Sequence, residues 1–122
     1  MSGASVTTAE QGAQLVREYH QSGYDLVKIH EGLTRDVFDA VAATANEVGI
    51  PFGGHVPDEV GLLRALEAGQ VSIDHLDNYV EALVPDDAPR GDAPGIDGLG
   101  ALLDVVDETR IPELVRATRA SG

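Results

Sequence analysis

The sequence predicts an α/β fold of about three parallel βα units. Two observations carry that reading. Apolar residues recur at helical spacing in three successive stretches, and each stretch is followed by a short apolar run of strand length. The connections between them are brief, and Gly23, Gly49 and Gly69 stand where the three helices should end. Strands that alternate with helices in this way lie parallel, and each crossover should be right-handed.

Thr7-Thr8-Ala9-Glu10 reads as a capping box, with Thr7 at the N-cap and Glu10 three residues on. The helix that follows carries Ala13, Leu15, Val16 and Tyr19 on one stripe. Tyr24 to His30 reads as a strand. Thr34 then caps a second helix, in which Val37, Phe38, Val41, Ala42, Ala45 and Val48 recur on one face. Ile50 to Val56 is the second strand, with Pro51 tolerated near its first residue. Pro57-Asp58 opens a third helix through Leu62, Leu63, Leu66 and Ala68, and Gln70 to Asp74 is a third strand running into His75.

The βα core is thus expected over 8–83. Pro85, Pro89 and Pro94, with glycines and aspartates around them, mark a surface loop over 84–98. C-terminal helices fill 99–122, one from Leu99 to Val106 and one with Pro112 at its first position and Ala120 near its end. The order of elements leads one to expect a further strand after the last helix, so the sequence reads as part of a longer chain.

Composition narrows the function. The chain has 21 acidic against 8 basic residues, a balance that repels phosphate backbones and anionic lipid and argues against nucleic acid or a membrane surface as partner. With no cysteine there is neither a disulfide nor a thiolate metal site. No apolar run approaches the ~18 residues of a membrane span, and Met1 to Glu10 lacks the basic and apolar regions of a signal peptide. A cytoplasmic location is the corresponding expectation.

Lys28 is the only lysine. It sits in the otherwise apolar Asp25-Leu26-Val27-Lys28-Ile29, where a buried ammonium is costly unless paired or chemically altered. Alternatively it lies at the strand end and reaches water along its own stem. His55 follows the Gly53-Gly54 pair at the end of the second strand, and His75 ends the third. Each histidine alone is more often structural than a ligand. Together with Lys28, they fall at the C-terminal ends of successive parallel strands, the edge where α/β proteins place their chemistry. Two neutral imidazoles suit zinc or a similar divalent ion. A lysine joins such a set only if carbon dioxide adds to its amine to give a carbamate.

His30 projects to the same side as Lys28 and either lines the same pocket, as a substrate-binding residue, or simply begins a loop. His20 reads as part of a solvated helix face. Asp25, Asp74 and Asp77 are candidates to orient a metal-bound histidine. No phosphate-cradling glycine-rich loop, Gly-x-Ser-x-Gly elbow or His-Glu-x-x-His helix is present.

Tyr24-Asp25-Leu26-Val27-Lys28-Ile29, then Gly54-His55-Val56-Pro57, then Ala68-Gly69-Gln70 leading to Ser72-Ile73-Asp74-His75-Leu76, resembles the amidohydrolase superfamily, and within it the imidazolonepropionase-like and prolidase-like enzymes. The likeness runs from about Ala9 to Ala82, with a fainter match through Asp107 to Gly122. It implies that 1–122 form one partial (β/α)8 barrel domain supplying strands four to six. It also implies that Lys28 is the carboxylated lysine bridging two metal ions, with His55 and His75 completing the shell of the second metal.

Metal-assisted hydrolysis of a C–N bond in a small amide, cyclic amide or peptide-like substrate is the implied activity. The sequence departs from the family pattern in having no His-x-His pair. The family's catalytic aspartate belongs to an eighth strand that the likeness does not reach. No catalytic residue is therefore assigned, and this chain alone is expected to show no turnover. The other readings are a non-catalytic metal- or ligand-binding partial barrel and a structural module that needs a partner chain.

A three-stranded parallel sheet exposes two edges, so the isolated chain is expected to self-associate, swap elements or be only marginally stable. Sedimentation combined with denaturant unfolding checks this: a monomer that unfolds in one sharp transition contradicts it.

Overall fold

The structure, a computed structural model, describes residues 5–89 and 95–122. Helix α1 spans Ala9–Gln21 and strand β1 Val27–Ile29, followed by α2 over Arg35–Val48 and β2 over Phe52–Gly54. Helix α3 covers Leu62–Glu67, a 3-10 turn Asp74–Leu76, and α4 Tyr79–Leu83. Helix α5 runs over Gly95–Leu103, a second 3-10 turn over Glu108–Arg110, and α6 over Ile111–Ala120. The chain is α/β, mostly helical, with β1 and β2 paired in parallel in the register Val27↔Phe52, Lys28↔Gly53 and Ile29↔Gly54.

The first helix begins one residue later than its capping pattern suggests. Thr8, not Thr7, is the N-cap, its hydroxyl accepting from the Gln11 amide at 3.2 Å. The Gln11 side chain accepts in turn from the Thr7 backbone amide at 3.0 Å. Both threonines have an acceptor-bearing residue three positions on, so local chemistry allows either start. Packing offers a reason for the choice: a Cβ at Gly12 would lie 2.9 Å from Val41 Cγ2, so this bare residue has to face α2.

Below the sheet lies a core of Val16, Val27, Ile29, Val37, Phe38, Val41, Ile50 and Phe52. Phe38 and Phe52 meet edge to face, with ring centroids 6.1 Å apart at 74°. Gly49 closes α2 in the left-handed conformation, as its position predicts. Asp39 ties α2 to α3, accepting from Arg64 Nε at 2.9 Å and from Arg35 Nε at 3.1 Å. Burial raises its carboxyl pKa, but the two guanidiniums outweigh that and hold it below the ordinary value.

The expected third strand does not form over its full length. Gln70 to Asp74 reduces to one parallel bridge, Gly54↔Ile73, with Val71 N donating to Phe52 O at 2.9 Å and Gly54 N to Ser72 O at 3.1 Å. Gly54 has a φ of 125°, which takes β2 out of extended geometry, and the chain beyond Ile73 coils into the 3-10 turn. A ladder needs both partners extended, and here both stop at once.

The C-terminal region also differs from expectation. Helix α4 was not foreseen, and α5 begins at Gly95, inside the stretch expected to be a surface loop over 84–98. Pro94 lies outside the described residues. Helix α6 starts at Ile111, so Pro112 is its second residue and not its first as expected, and Leu114 is buried. Asp107 N donates to Leu83 O at 2.9 Å and Arg110 Nη1 to Val84 O at 2.8 Å, which fastens this region to α4. No helix among the described residues is long and apolar enough to cross a membrane.

Two glycines of positive φ separate conformation from packing. At Gly49, with φ 80°, an added Cβ meets nothing within 4 Å, whereas at Gly54 it would lie 2.5 Å from Ile29 O. Gly49→Ala should cost about 1 kcal/mol in urea unfolding, the left-handed penalty alone. Gly54→Ala should cost about 2–4 kcal/mol, because overlap adds to strain. Equal costs would show that the close approach at Gly54 is unimportant.

Candidate metal centre

Strand alternation decides where Lys28 goes. Val27 and Ile29 point into the core, so Lys28 must project from the opposite face of β1. It is not buried, as one of the two sequence readings had it; its side chain is 51% exposed. Nor does it simply extend into water, because Nζ donates to the Asp74 carboxylate. The stem passes over Gly54, where a Cβ would sit 2.8 Å from Lys28 Cδ.

His55 follows directly from β2, with its side chain only 15% exposed. Its Nδ1 lies 2.9 Å from Asp77 Oδ2 and 3.7 Å from Glu31 Oε1. A carboxylate can only accept, so Nδ1 carries the proton and Nε2 keeps the free lone pair. The same Asp77 oxygen accepts from Val56 N at 3.3 Å. Of the three aspartates weighed as orienting groups, Asp77 is the one in contact with a histidine nitrogen. Asp25 lies exposed in the bend before β1, outside the cluster.

The turn after Ile73 brings the remaining groups in. His75, Leu76 and Asn78 have φ values of 54°, 58° and 62°, a conformation that costs a non-glycine residue about 1–2 kcal/mol. Part of that cost is offset locally, since Asn78 Nδ2 donates to Val56 O at 3.0 Å. The bent path returns Asp77 toward His55 and places the His75 ring 5.3 Å from the His55 ring. His30 also meets His55, at 5.1 Å between ring centroids. His20 is exposed on α1, as expected.

His55, Asp74 and His75 therefore form a donor group whose ligand atoms all lie within 4.8 Å of one another. A tetrahedral zinc with bonds of about 2.0–2.1 Å wants its donors about 3.3 Å apart. Side-chain rotations on the scale of an ångström close that difference, and two imidazoles with a carboxylate are a suitable donor set. Asp74 was weighed as an orienting residue and stands instead among the potential ligands. Its position directly before His75 was the available signal. Lys28 reaches the group only through Asp74, and as an ammonium it offers no lone pair.

A cleft of about 850 Å³ adjoins the cluster, bordered by Leu33, Val56, His75, Leu76, Tyr79 and Glu31 among others. It is wide enough for a small molecule.

No family model matches the chain, and no curated protein matches it. A solved structure does. The chain is similar to part of a bottromycin amidohydrolase, with a TM-score of 0.57 and 30% sequence identity. The match covers 86% of this chain and 21% of that one, so the chain spans about a fifth of the length of the protein it matches. The similarity agrees at the level of fold with the amidohydrolase resemblance read from the three motifs.

Lys28 is the first cause of the lowered pKa at Asp74, through its hydrogen bond; partial burial opposes it, and the charge of Lys28 adds to it. A depressed carboxyl pKa means that the pair contributes at neutral pH and is lost as the pH falls through the lowered value. Lys28→Met should return Asp74 toward the ordinary carboxylate pKa. Carbon-detected NMR titration of the Asp74 carboxyl checks this, and an unmoved midpoint would show that the pair does not form in solution.

Proposed function

We propose that this chain supplies the central part of a metal-dependent amidohydrolase barrel, acting on C–N bonds of amide, cyclic amide or peptide-like substrates. The observation that carries the reading is the convergence of His55, Asp74 and His75 beside Lys28. The similarity to a bottromycin amidohydrolase supports it. In this reading β1, β2 and the segment at Ile73 correspond to strands four to six of a (β/α)8 barrel.

The roles follow from the chemistry of each side chain. His55 presents Nε2 because Asp77 holds the proton on Nδ1. His75 adds a second imidazole and Asp74 an anionic oxygen. Lys28, as a carbamate, would exchange its positive charge for two further oxygen donors, which also ends its pairing with Asp74. A divalent ion, zinc by the donor set, would act as a Lewis acid and lower the pKa of water. His30, beside His55, borders the substrate side.

The chain contains no His-x-His pair and no catalytic residue is assigned. Turnover by this chain alone is accordingly not expected. A second reading, a metal-binding partial barrel without catalysis, is favoured by the same missing pair.

Elemental mass spectrometry of the purified chain, supplied with zinc and bicarbonate, tests the proposal beside His55→Ala. About one zinc per chain, lost in the variant, is the expected result. No zinc in either protein would overturn the assignment of these residues as ligands.

A further inference from the structure

Gln70 is a polar residue in an apolar place. It follows α3 at the start of the segment that leads to Asp74 and His75, and it is 3% exposed. Its backbone is anchored, with N donating to Ala65 O at 3.1 Å. Its side-chain Nε2 lies 3.1 Å from Gly54 O, 3.1 Å from His55 O and 3.0 Å from Ser72 O. An amide nitrogen has two protons, so three carbonyls must share them. Turning the amide over would set Oε1 against three carbonyl oxygens, which fixes its orientation. The other end of the group, Oε1, is buried without a hydrogen-bond partner among the described residues.

A buried amide that leaves its own oxygen unsatisfied has a cost, and the site of its donor end shows what is obtained. The bonds fall where the backbone ladder stops. Gly54 N donates to Ser72 O, and Gly54↔Ile73 is the one bridge between β2 and the following segment. Beyond it the two chains diverge, one to His55 and the other to Asp74 and His75. Nε2 takes over where the ladder ends and links the carbonyls of both chains.

We propose that Gln70 is a positioning residue that sets the separation of His55 and His75. This rests on the reading of those histidines as metal ligands. The hydrogen bonds of the Gln70 side chain go to backbone carbonyls and to neither imidazole. It acts through the backbone on each side, holding the two strand ends at the spacing that one ion requires.

The test compares the parent chain with Gln70→Met, similar in length but without a donor, and with Val41→Ala, a core change in α2 away from the site. Cobalt(II) is the probe, and ring-to-ring nuclear Overhauser contacts between His55 and His75 are followed without metal. Gln70→Met should weaken cobalt binding by about 10–100-fold, shift the visible bands of bound cobalt and weaken the ring contacts. Val41→Ala should leave all three unchanged. If Gln70→Met does not fold, Gln70→Asn, which keeps the amide on a shorter stem, is measured with the same expectations. Cobalt affinity within twofold of the parent, with ring contacts retained, overturns the proposal. A parent that binds no cobalt sinks the metal reading instead, and the metal-free ring contacts then decide the role of Gln70.

Discussion

The backbone at Gly53 and Gly54 has no Cβ, and three other groups use the space this leaves. Ser72 packs against Gly53, where a Cβ would fall 2.3 Å from its hydroxyl oxygen. The Lys28 stem crosses Gly54 on its way to Asp74. The Gln70 amide reaches the Gly54 carbonyl. Larger side chains at these two positions would push apart β1, β2 and the segment after α3. Close approach of backbones is thus the constraint from which the geometry of the candidate centre follows.

Beneath that point the chain is apolar and above it polar, and the division falls along single strands. Val27 and Ile29 are buried while Lys28 between them is exposed. Phe52 is buried at the start of β2, and His55 emerges just past its end. The helices α1 and α2 add small and branched residues to that lower core, so the packed part of the molecule lies under the candidate centre. This arrangement suits a ligand site, since the packed face fixes the backbone from which the side chains project and hydrogen bonds such as that of His55 to Asp77 orient them.

The candidate centre itself depends on a bent and locally unfavourable path. Left-handed conformations at His75, Leu76 and Asn78 cost free energy, and hydrogen bonds from Asn78 to Val56 and from His55 and Val56 to Asp77 compensate. The result brings together residues 22 positions apart, His55 and Asp77, as partners. Two charges of opposite sign, Lys28 and Asp74, meet at the same place.

By itself the sequence determined the order of the first helices and the two strands, the glycine ends of the helices, His55 just past the end of β2 and the isolated lysine, because periodicity and backbone freedom are local properties; His75 lies in a 3-10 turn rather than at a strand end. The capping threonine, the shortened third strand, α4 and the early start of α5 were not legible, since each depends on what the segment packs against. The pairing of Lys28 with Asp74, the place of Asp74 among the potential ligands and the Gln70 bridge were decided only by the tertiary structure. Lys28 and Asp74 are 46 residues apart in the chain, and Gln70 and Gly54 are 16 apart. No local pattern encodes contacts across such distances; they exist because folding brings the strand ends together.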